Sequence, residues 1–507
     1  MKELGVGIVW FPPLAELIEE RGFVDVVEVE PQIFWLPSER GERYRADGAE
    51  MRALRTLPIP KIAHGVGSPV GSPRRPLDSG VARFVRDVKA LDAVWASEHL
   101  SFNRASGADG EFGAGFLLPP RQTQAAVLEI AATVREFAAK LPVPFAIETG
   151  VNYLRPRSDE MSDGAFMAAI AEAADCGILL DLHNLWCNEL NGRQRVADFL
   201  AELPLDRVIE MHVAGGEQRS GYWLDAHCGA VPSPVLEIAA KWLPDLQELR
   251  AIIFEIMPDH VPLFGIENVR REIETLRRLW DSKKRNGRRK NGRKSDEREL
   301  DERERSDAVA WENSLAALVA GRNAESLLAE ELASDPGVAV LSGLVNAARA
   351  GADVAQLKLT TRLLRLSRGL AALQTQLNAH WAVQPPEMYG AIEAASFGAF
   401  LDSAGIDIPH FREVLGLERA LLRIHAGGDA QIVHFTCDPT PLLSALAEGR
   451  LPEDLPYEDR FLRINTSGEV SFSSPLAVHD SVSSRSSHTN AELSRPIDNV
   501  VALASST

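Results

Sequence analysis

Over its first 280 residues the chain alternates between two hydrophobic rhythms. Short apolar runs rich in Val and Ile recur: GVGIVW, VDVVEVE, IPKIAHG, AVWASEHL, VPFAIETG, GILLDLHN, RVIEMHVAG and RAIIFEIMP. Each is short enough to be a strand. Between them apolar residues return at helical spacing, as in TQAAVLEIAATVREFAAKL and AFMAAIAEAA. This alternation predicts an α/β fold, a (β/α)8 TIM barrel over residues 1–280. A doubly wound open sheet is the alternative, but no GxGxxG follows the first run.

The pattern then breaks. Residues 281–307 (KKRNGRRKNGRK, then SDERELDERERSD) carry charge without apolar periodicity, which predicts a charged linker, solvated or drawn out as a charged helical extension. Helical spacing resumes over residues 308–475, in AESLLAEELA, VAQLKLTTRLLRLSRGLAALQTQLNAH, MYGAIEAASFGAFLDSAG and HFREVLGLERALLRIHAG. DAQIVHFTCDP reads as a strand, so a mostly helical C-terminal domain is expected. The Ser-rich stretch 476–507 is expected to be a disordered tail.

Composition narrows the function. The formal net charge of -18 over 507 residues argues against a general nucleic-acid binder, which needs a basic face. The four cysteines, Cys176, Cys187, Cys228 and Cys437, form no CxxC pair, so neither a disulfide framework nor a cysteine-based zinc site is expected. A reducing, cytoplasmic compartment fits. The N-terminal segment lacks signal-peptide features, and no apolar run of about 18 residues suggests a membrane span.

The candidate chemistry lies at the ends of the expected strands. In chain order these carry Glu28 and Glu30, His64, Glu98 and His99, Glu148, Asp181, His212 and Glu255, and the segment after the seventh adds Asp225 and His227. The C-terminal ends of barrel strands share one rim, where this fold keeps its chemistry. Any one of these residues alone is as well explained by an ion pair or a hydrogen-bonded histidine. Their recurrence at the same end of successive strands is not explained by packing, because charged residues are seldom buried unpaired. Imidazole and carboxylate together suit divalent ions of intermediate softness, so a multinuclear metal site is expected.

The motifs KIAHGVGSPVGS, SEHLSFNR, IETGVNYL, MSDGAFMAAIAEAADCGILLDLHN, MHVAGG and WLDAHCGAVPSPV, in this order, resemble the multinuclear non-haem iron-dependent oxidative enzymes of the methanobactin-biosynthesis type. The resemblance covers about residues 5–280. It implies a TIM barrel that modifies cysteines of ribosomally made precursor peptides, with two or three irons at the barrel mouth and O2 as co-substrate. Position by position it carries the ligand role to His64, His99, Glu148, Asp181, His212, Asp225, His227 and Glu255. Where the family reads Asp-x-Asn-Asn, this chain has Asp181-Leu-His183-Asn184, so Asn184 matches and His183 departs. Along a strand His183 would share the face of Asp181, whereas a turn after Leu182 would aim Asn184 inward. Asn184 is favoured as the ninth ligand, with His183 and Glu28 as neighbours of the cluster. No protein acid or base is assigned.

MYGAIEAASFGAFLDS and VHFTCDPTPLLSALAEGRLP resemble the partner proteins that bind the precursor peptide, which implies an enzyme fused to its peptide-binding partner. The rival readings are a zinc phosphodiesterase resembling endonuclease IV and a xylose isomerase-like sugar isomerase or epimerase. No nucleic-acid or membrane partner is expected, and the oligomeric state is left open.

Overall fold

The computed structural model describes residues 2–38, 44–46, 48–283 and 302–473. Most of the expected charged linker and the whole of the expected tail 476–507 lie outside these residues. The chain divides into two compact units, residues 1–34 with 46–342 and residues 35–45 with 343–507.

The first unit is built on a closed eight-stranded barrel. Its strands are β1 (Gly5–Val9), β2 (Val26–Val29), β3 (Lys61–Gly65), β4 (Ala96–His99), β5 (Phe145–Glu148), β6 (Gly177–Asp181), β7 (Val208–Ala214) and β8 (Ala251–Glu255). Each lies beside its neighbours in sequence, and β8 closes on β1 in parallel. All eight expected apolar runs supply a barrel strand. Strands covered on both faces need apolar residues at nearly every position, and β1, β2, β3 and β5 are buried throughout. The intervening helices bury one stripe each. In Gln124–Ala138, for example, Ala126, Ile130, Val134 and Phe137 face inward, and the Thr123 hydroxyl accepts from Ala126 N at 3.2 Å to cap the first turn.

Three additions to the barrel lie outside the eight expected strand-helix units. An antiparallel hairpin, Phe102–Gly107 with Gly110–Leu118, follows β4. A smaller one, Glu217–Arg219 with Tyr222–Leu224, follows β7. The third addition is helical: Glu302–Val319 and Leu327–Ala333 belong to this unit. Trp311 anchors the former, donating Nε1–H to the Pro119 carbonyl at 3.1 Å, with the Arg157 guanidinium 5.1 Å from its ring centre. Ser106 N donates to Asn313 Oδ1 at 2.8 Å, and Arg155 N to Asp335 Oδ2 at 2.9 Å. The boundary between units therefore falls between Ser342 and Gly343, inside the helix Pro336–Gln356, and not at residue 308.

The second unit is helix-rich. Lys358–Arg368 and Leu370–Val383 arise from one long apolar pattern, split where Gly369 takes φ of 84°. Gly390–Ser403, Phe411–His425 and Pro439–Ala447 complete the helical layer. Strands β9 (Gln431–Phe435), β10 (Arg460–Ile464) and β11 (Val470–Ser473) form an antiparallel sheet, of which β9 alone was expected. Its core gathers Leu363, Phe397, Phe411, Leu417, Phe435 and Leu462. Among the described residues one helix, Pro336–Gln356, is long and apolar enough by composition to cross a membrane, with a mean hydropathy of 1.2. It also carries the buried Arg349 and Asp353.

Candidate metal centre

Strand register puts the candidate residues side by side. His64 on β3 lies opposite Ser97 on β4, His99 on β4 opposite Glu148 on β5, and Asp181 on β6 opposite His212 on β7. Glu255 ends β8 beside Ala214. Asp225 and His227 enter from the segment after the second hairpin, and His227 holds a left-handed φ of 45°.

The side chains converge. Glu148 Oε2 is 3.2 Å from His64 Nε2 and 2.8 Å from His99 Nδ1. His212 Nδ1 is 3.2 Å from Glu255 Oε1, and His227 Nε2 is 3.4 Å from Glu255 Oε2 and 3.0 Å from Asp225 Oδ1. Three triads of ligand atoms result: His64, His99 and Glu148; Glu148, Asp181 and His212; Asp181, His227 and Glu255, each with its atoms within 4.8 Å of one another. Glu148 and Asp181 each belong to two triads, the placement of carboxylates that bridge neighbouring ions.

The polar atoms left over test whether metal ions fit. Glu148 Oε2, Asp181 Oδ2, Asn184 Oδ1, His212 Nδ1, His227 Nε2 and Glu255 Oε2 are all buried without a hydrogen-bond partner. Several stand at ion-pair distance from one another, where imidazole nitrogens face carboxylate oxygens. Buried polar atoms are ordinarily satisfied, and one left bare costs about 1–3 kcal/mol. So many converging on one place fit cations, which lone pairs can share. The donors are imidazole nitrogen and carboxylate or amide oxygen, with no cysteine among them, which suits iron, manganese or zinc.

The charge balance agrees. Burial disfavours an ionised Glu148, but His99 and His64 hold it well below the usual carboxylate range. Burial likewise opposes charge on His64, yet Glu148 raises it to about 10. His212 and His227 are pushed well up, against burial, chiefly by Glu255 and by Asp225 respectively. Asp181, buried and facing Asp225, Glu255 and Glu148, is pushed well above its ordinary value. Without metal, protons on His64, His212 and His227 offset the carboxylates, and divalent ions would displace them.

The strand-to-helix switch at β6 separates the two neighbours of Asp181. The strand ends at Asp181 and a helix begins at Leu182 (Leu182–Leu190). Asp181 Oδ1 caps it, accepting from Asn184 N at 2.8 Å, while Oδ2 stays free for the cluster. Asn184 Nδ2 donates to the Thr149 carbonyl at 3.1 Å, which leaves its Oδ1 bare. His183 instead stands 2.9 Å from Asp225 Oδ1 through Nδ1, and its Nε2 accepts from Trp223 Nε1 at 3.1 Å.

Glu28 backs the cluster: its Oε2 is 3.1 Å from His212 Nε2, and burial pushes it up to about 8. Glu98 turns away and accepts from Ser68 N at 2.9 Å, fixing the loop after β3. Sequence reasoning missed Glu210, which is 3.7 Å from His212 and accepts from Trp95 Nε1 at 2.8 Å. Its signal was present, two residues before His212 on one strand and so on the same face. Ser97, 2.9 Å from His64 Nδ1, and Trp223 had no comparable signal, because their roles depend on register and on a hairpin.

A cavity of about 130 Å3 opens beside the cluster, lined in part by His99, Asn184, Asp225, Phe116, Phe166 and Met167. Arg193 stiffens its wall, donating to Asp163, to Gln122 Oε1 at 2.9 Å and to the Leu154 carbonyl at 2.8 Å.

Residues 5–280 match the profile of the family described as RiPP precursor modification enzyme MbnB/TglH/ChrH. A UPF0276 protein of Streptomyces avermitilis is 33% identical over 47% of this chain, and the chain covers only 48% of that relative. A UPF0276 protein of Anaeromyxobacter sp. is 29% identical over 51% of this chain and 90% of its own length. For a UPF0276 protein of Chromobacterium violaceum the identity is 32%, over 42% and 75%. Among solved structures, D-psicose 3-epimerase from Clostridium cellulolyticum (12% identity, 55% of this chain and 99% of that one, TM-score 0.36) and endonuclease IV from Thermus thermophilus (14%, 55% and 99%, TM-score 0.36) are similar. Likenesses of this size carry no argument about activity.

Proposed function

The chain belongs to the family of RiPP precursor modification enzymes of the MbnB/TglH/ChrH type, and from its site we propose that it is a multinuclear iron, O2-dependent oxidase acting on a cysteine of a ribosomally made precursor peptide. The observation that carries the reading is the row of three ligand triads joined through Glu148 and Asp181. The proposed ligands are His64, His99, Glu148, Asp181, Asn184, His212, Asp225, His227 and Glu255.

Iron bound there supplies redox chemistry with dioxygen and a Lewis acid for a cysteine thiolate. The protein's own contribution is placement. Glu148 and Asp181, each shared by two ligand triads, would hold neighbouring cations and offset their repulsion. Glu28 holds the Nε2 edge of His212, so that Nδ1 is presented to the cluster. The apolar wall from Phe116, Phe166 and Met167 limits water beside the reacting side chain. The cavity lies beside Asn184 and Asp225, so a cysteine entering it is oriented before it reacts.

We assign recognition of the precursor peptide to the C-terminal part of the chain, following its likeness to partner proteins that bind such peptides. Tethering the two functions raises the local peptide concentration. A cytoplasmic setting fits an O2-dependent enzyme acting on reduced cysteine.

The test is metal analysis of protein purified without oxygen, followed by O2 uptake. Two or more irons per chain, with uptake dependent on a cysteine-containing peptide, is the expected result. Stoichiometric zinc with cleavage of abasic DNA would replace this reading with a phosphodiesterase.

A further inference from the structure

His183 lies in the first turn of a helix that starts at the metal-bearing rim, is 0% exposed, and has both ring nitrogens occupied. The indole N–H can only donate, so Trp223 Nε1, 3.1 Å away, fixes His183 Nε2 as an unprotonated acceptor. The proton of a neutral ring must then sit on Nδ1, where it is donated to Asp225 Oδ1 at 2.9 Å. One aromatic N–H thereby sets the tautomer of His183 and the orientation of a carboxylate at the cluster. Asp225 Oδ1 is also 3.0 Å from His227 Nε2, so the chain of contacts ends at a second proposed ligand.

The surroundings are built to hold this arrangement. The Asn191 amide grips the backbone of Trp223 from both sides: Nδ2 donates to its carbonyl at 2.8 Å, and Oδ1 accepts from its N–H at 2.9 Å. The Trp223 ring packs edge-on against Trp186, with centroids 4.9 Å apart. Asp225 N donates to the Tyr153 hydroxyl at 3.1 Å, fixing the backbone of the carboxylate itself. Gly216 lies where any side chain would intrude: a Cβ there would sit 2.7 Å from His183 Nε2 and 2.7 Å from Trp223 Nε1. Cys187 Sγ is 3.7 Å from Nε2 and 3.8 Å from Nδ1, and burial first, then Asp225, pushes its thiol far up, so it packs beside the ring as a neutral group.

We propose that His183 is a positioning residue, locked by the Trp223 N–H as its Nδ1–H tautomer, that orients Asp225 toward the metal cluster and is not itself a ligand. The inference rests on the metal reading above, and it assigns a role to the position at which this chain departs from the motif it resembles. It also leaves Asn184, whose Oδ1 is bare, as the group that completes the set at the end of β6.

Two measurements on the full chain test it. In the metal-free protein labelled with 15N-histidine, the ring signals absent from His183→Ala should show the Nδ1–H pattern at neutral pH. In Trp223→Phe the Nε2 signal should shift as it loses its donor. An Nε2–H ring in the parent protein, or no response to Trp223→Phe, overturns the inference whether or not metal binds. In anaerobic titration with Co(II), His183→Ala should weaken the uptake of one ion by roughly 10–100-fold and leave the others in place, the usual effect of removing a support from a ligand. His183→Asn, which retains a donor, should recover part of that loss. If His183→Ala loses an ion as completely as Asp225→Ala, and zinc loading moves the His183 ring signals to those of a coordinated nitrogen, His183 is a ligand and the proposal fails. A parent protein that takes up no cobalt at all refutes the metal reading, and the tautomer signals then report the Trp223–His183–Asp225 chain alone.

Discussion

In the second unit, Arg349 donates through Nε to Glu393 Oε1 at 2.6 Å and reaches the Gln384 carbonyl at 3.1 Å, while Glu393 Oε2 accepts from Glu387 N at 2.9 Å. Nearby Asp353 is pushed up to about 8 by burial and by Glu393, and His380 is pushed down to about 4 by burial and by Arg349. This cluster balances its charge with one arginine, one carboxylate and two groups held neutral, although Asp353 Oδ1 and Oδ2 and His380 Nδ1 also lack hydrogen-bond partners. At the barrel mouth Glu148, Asp181, Asp225 and Glu255 meet histidines, and among the described residues no Lys or Arg pairs with them. Both clusters are buried and acidic. One supplies its own permanent cation, whereas the other leaves its acceptors arranged for cations from outside. Burial of acidic groups alone is therefore a poor guide to a metal site, and the absence of a resident guanidinium is the better discriminator.

Substitutions can break this contrast. The largest effect is expected from Glu148→Ala, which takes a ligand from two triads at once: iron content should fall by more than one ion per chain and peptide-dependent O2 uptake should be lost. Metal analysis beside an unchanged circular dichroism spectrum checks it. Arg349→Met should act only on stability, because it leaves Glu393 buried without its cation, at a cost of about 3–5 kcal/mol. Denaturant unfolding would read that loss, and iron content should stay at the parent level. If iron is lost as well, the two clusters are not independent.

Smaller changes sharpen the picture. Glu28→Ala should weaken metal binding by roughly 10–100-fold without removing a ligand, and Glu28→Gln, which keeps an acceptor for His212 Nε2, should lose less. Competition with a chelator measures both. The last effect is pH-dependent. Asp353 titrates near 8 when folded against an ordinary 3.8, so the folded state holds a proton that the unfolded chain releases earlier. Its contribution to stability is full below about pH 4, declines as pH rises, and is lost through pH 8. Asp353→Asn should flatten that decline, which unfolding midpoints at pH 6 and pH 9 would reveal.

The two units also differ in how far the sequence disclosed them. The barrel was legible because parallel strands covered on both faces must be apolar along their length, and each stood out against the helical spacing around it. The mouth cluster was legible for the same reason, since a charged residue ending such a run is conspicuous. Trp223 was not, because its part depends on a two-residue turn at Ser220 and Gly221 that brings an exposed hairpin back over the rim. The choice between His183 and Asn184 was likewise closed to sequence. It turns on whether the strand stops at residue 181 or two residues later, and boundaries depend on capping. The helix Glu302–Val319 straddles the expected boundary, its first residues read as linker and the rest with the C-terminal domain. The socket around Trp311 and the Ser106–Asn313 hydrogen bond attach it to the barrel unit.

Asp181 ends the strand, caps the helix and offers its second oxygen to the cluster. At this position the chemistry can change only within the side chains that also cap a helix. A mutational scan scored for folding and one scored for metal content should agree at residue 181 for Ala or Leu, which lose both the proposed ligand and the cap, worth about 1 kcal/mol, and diverge for Asn and Ser, which still cap the helix. At His99, which ends a strand without capping a helix, the two scores are free to diverge. Folding thus limits residue 181 to helix-capping side chains, a restriction that His99 does not share.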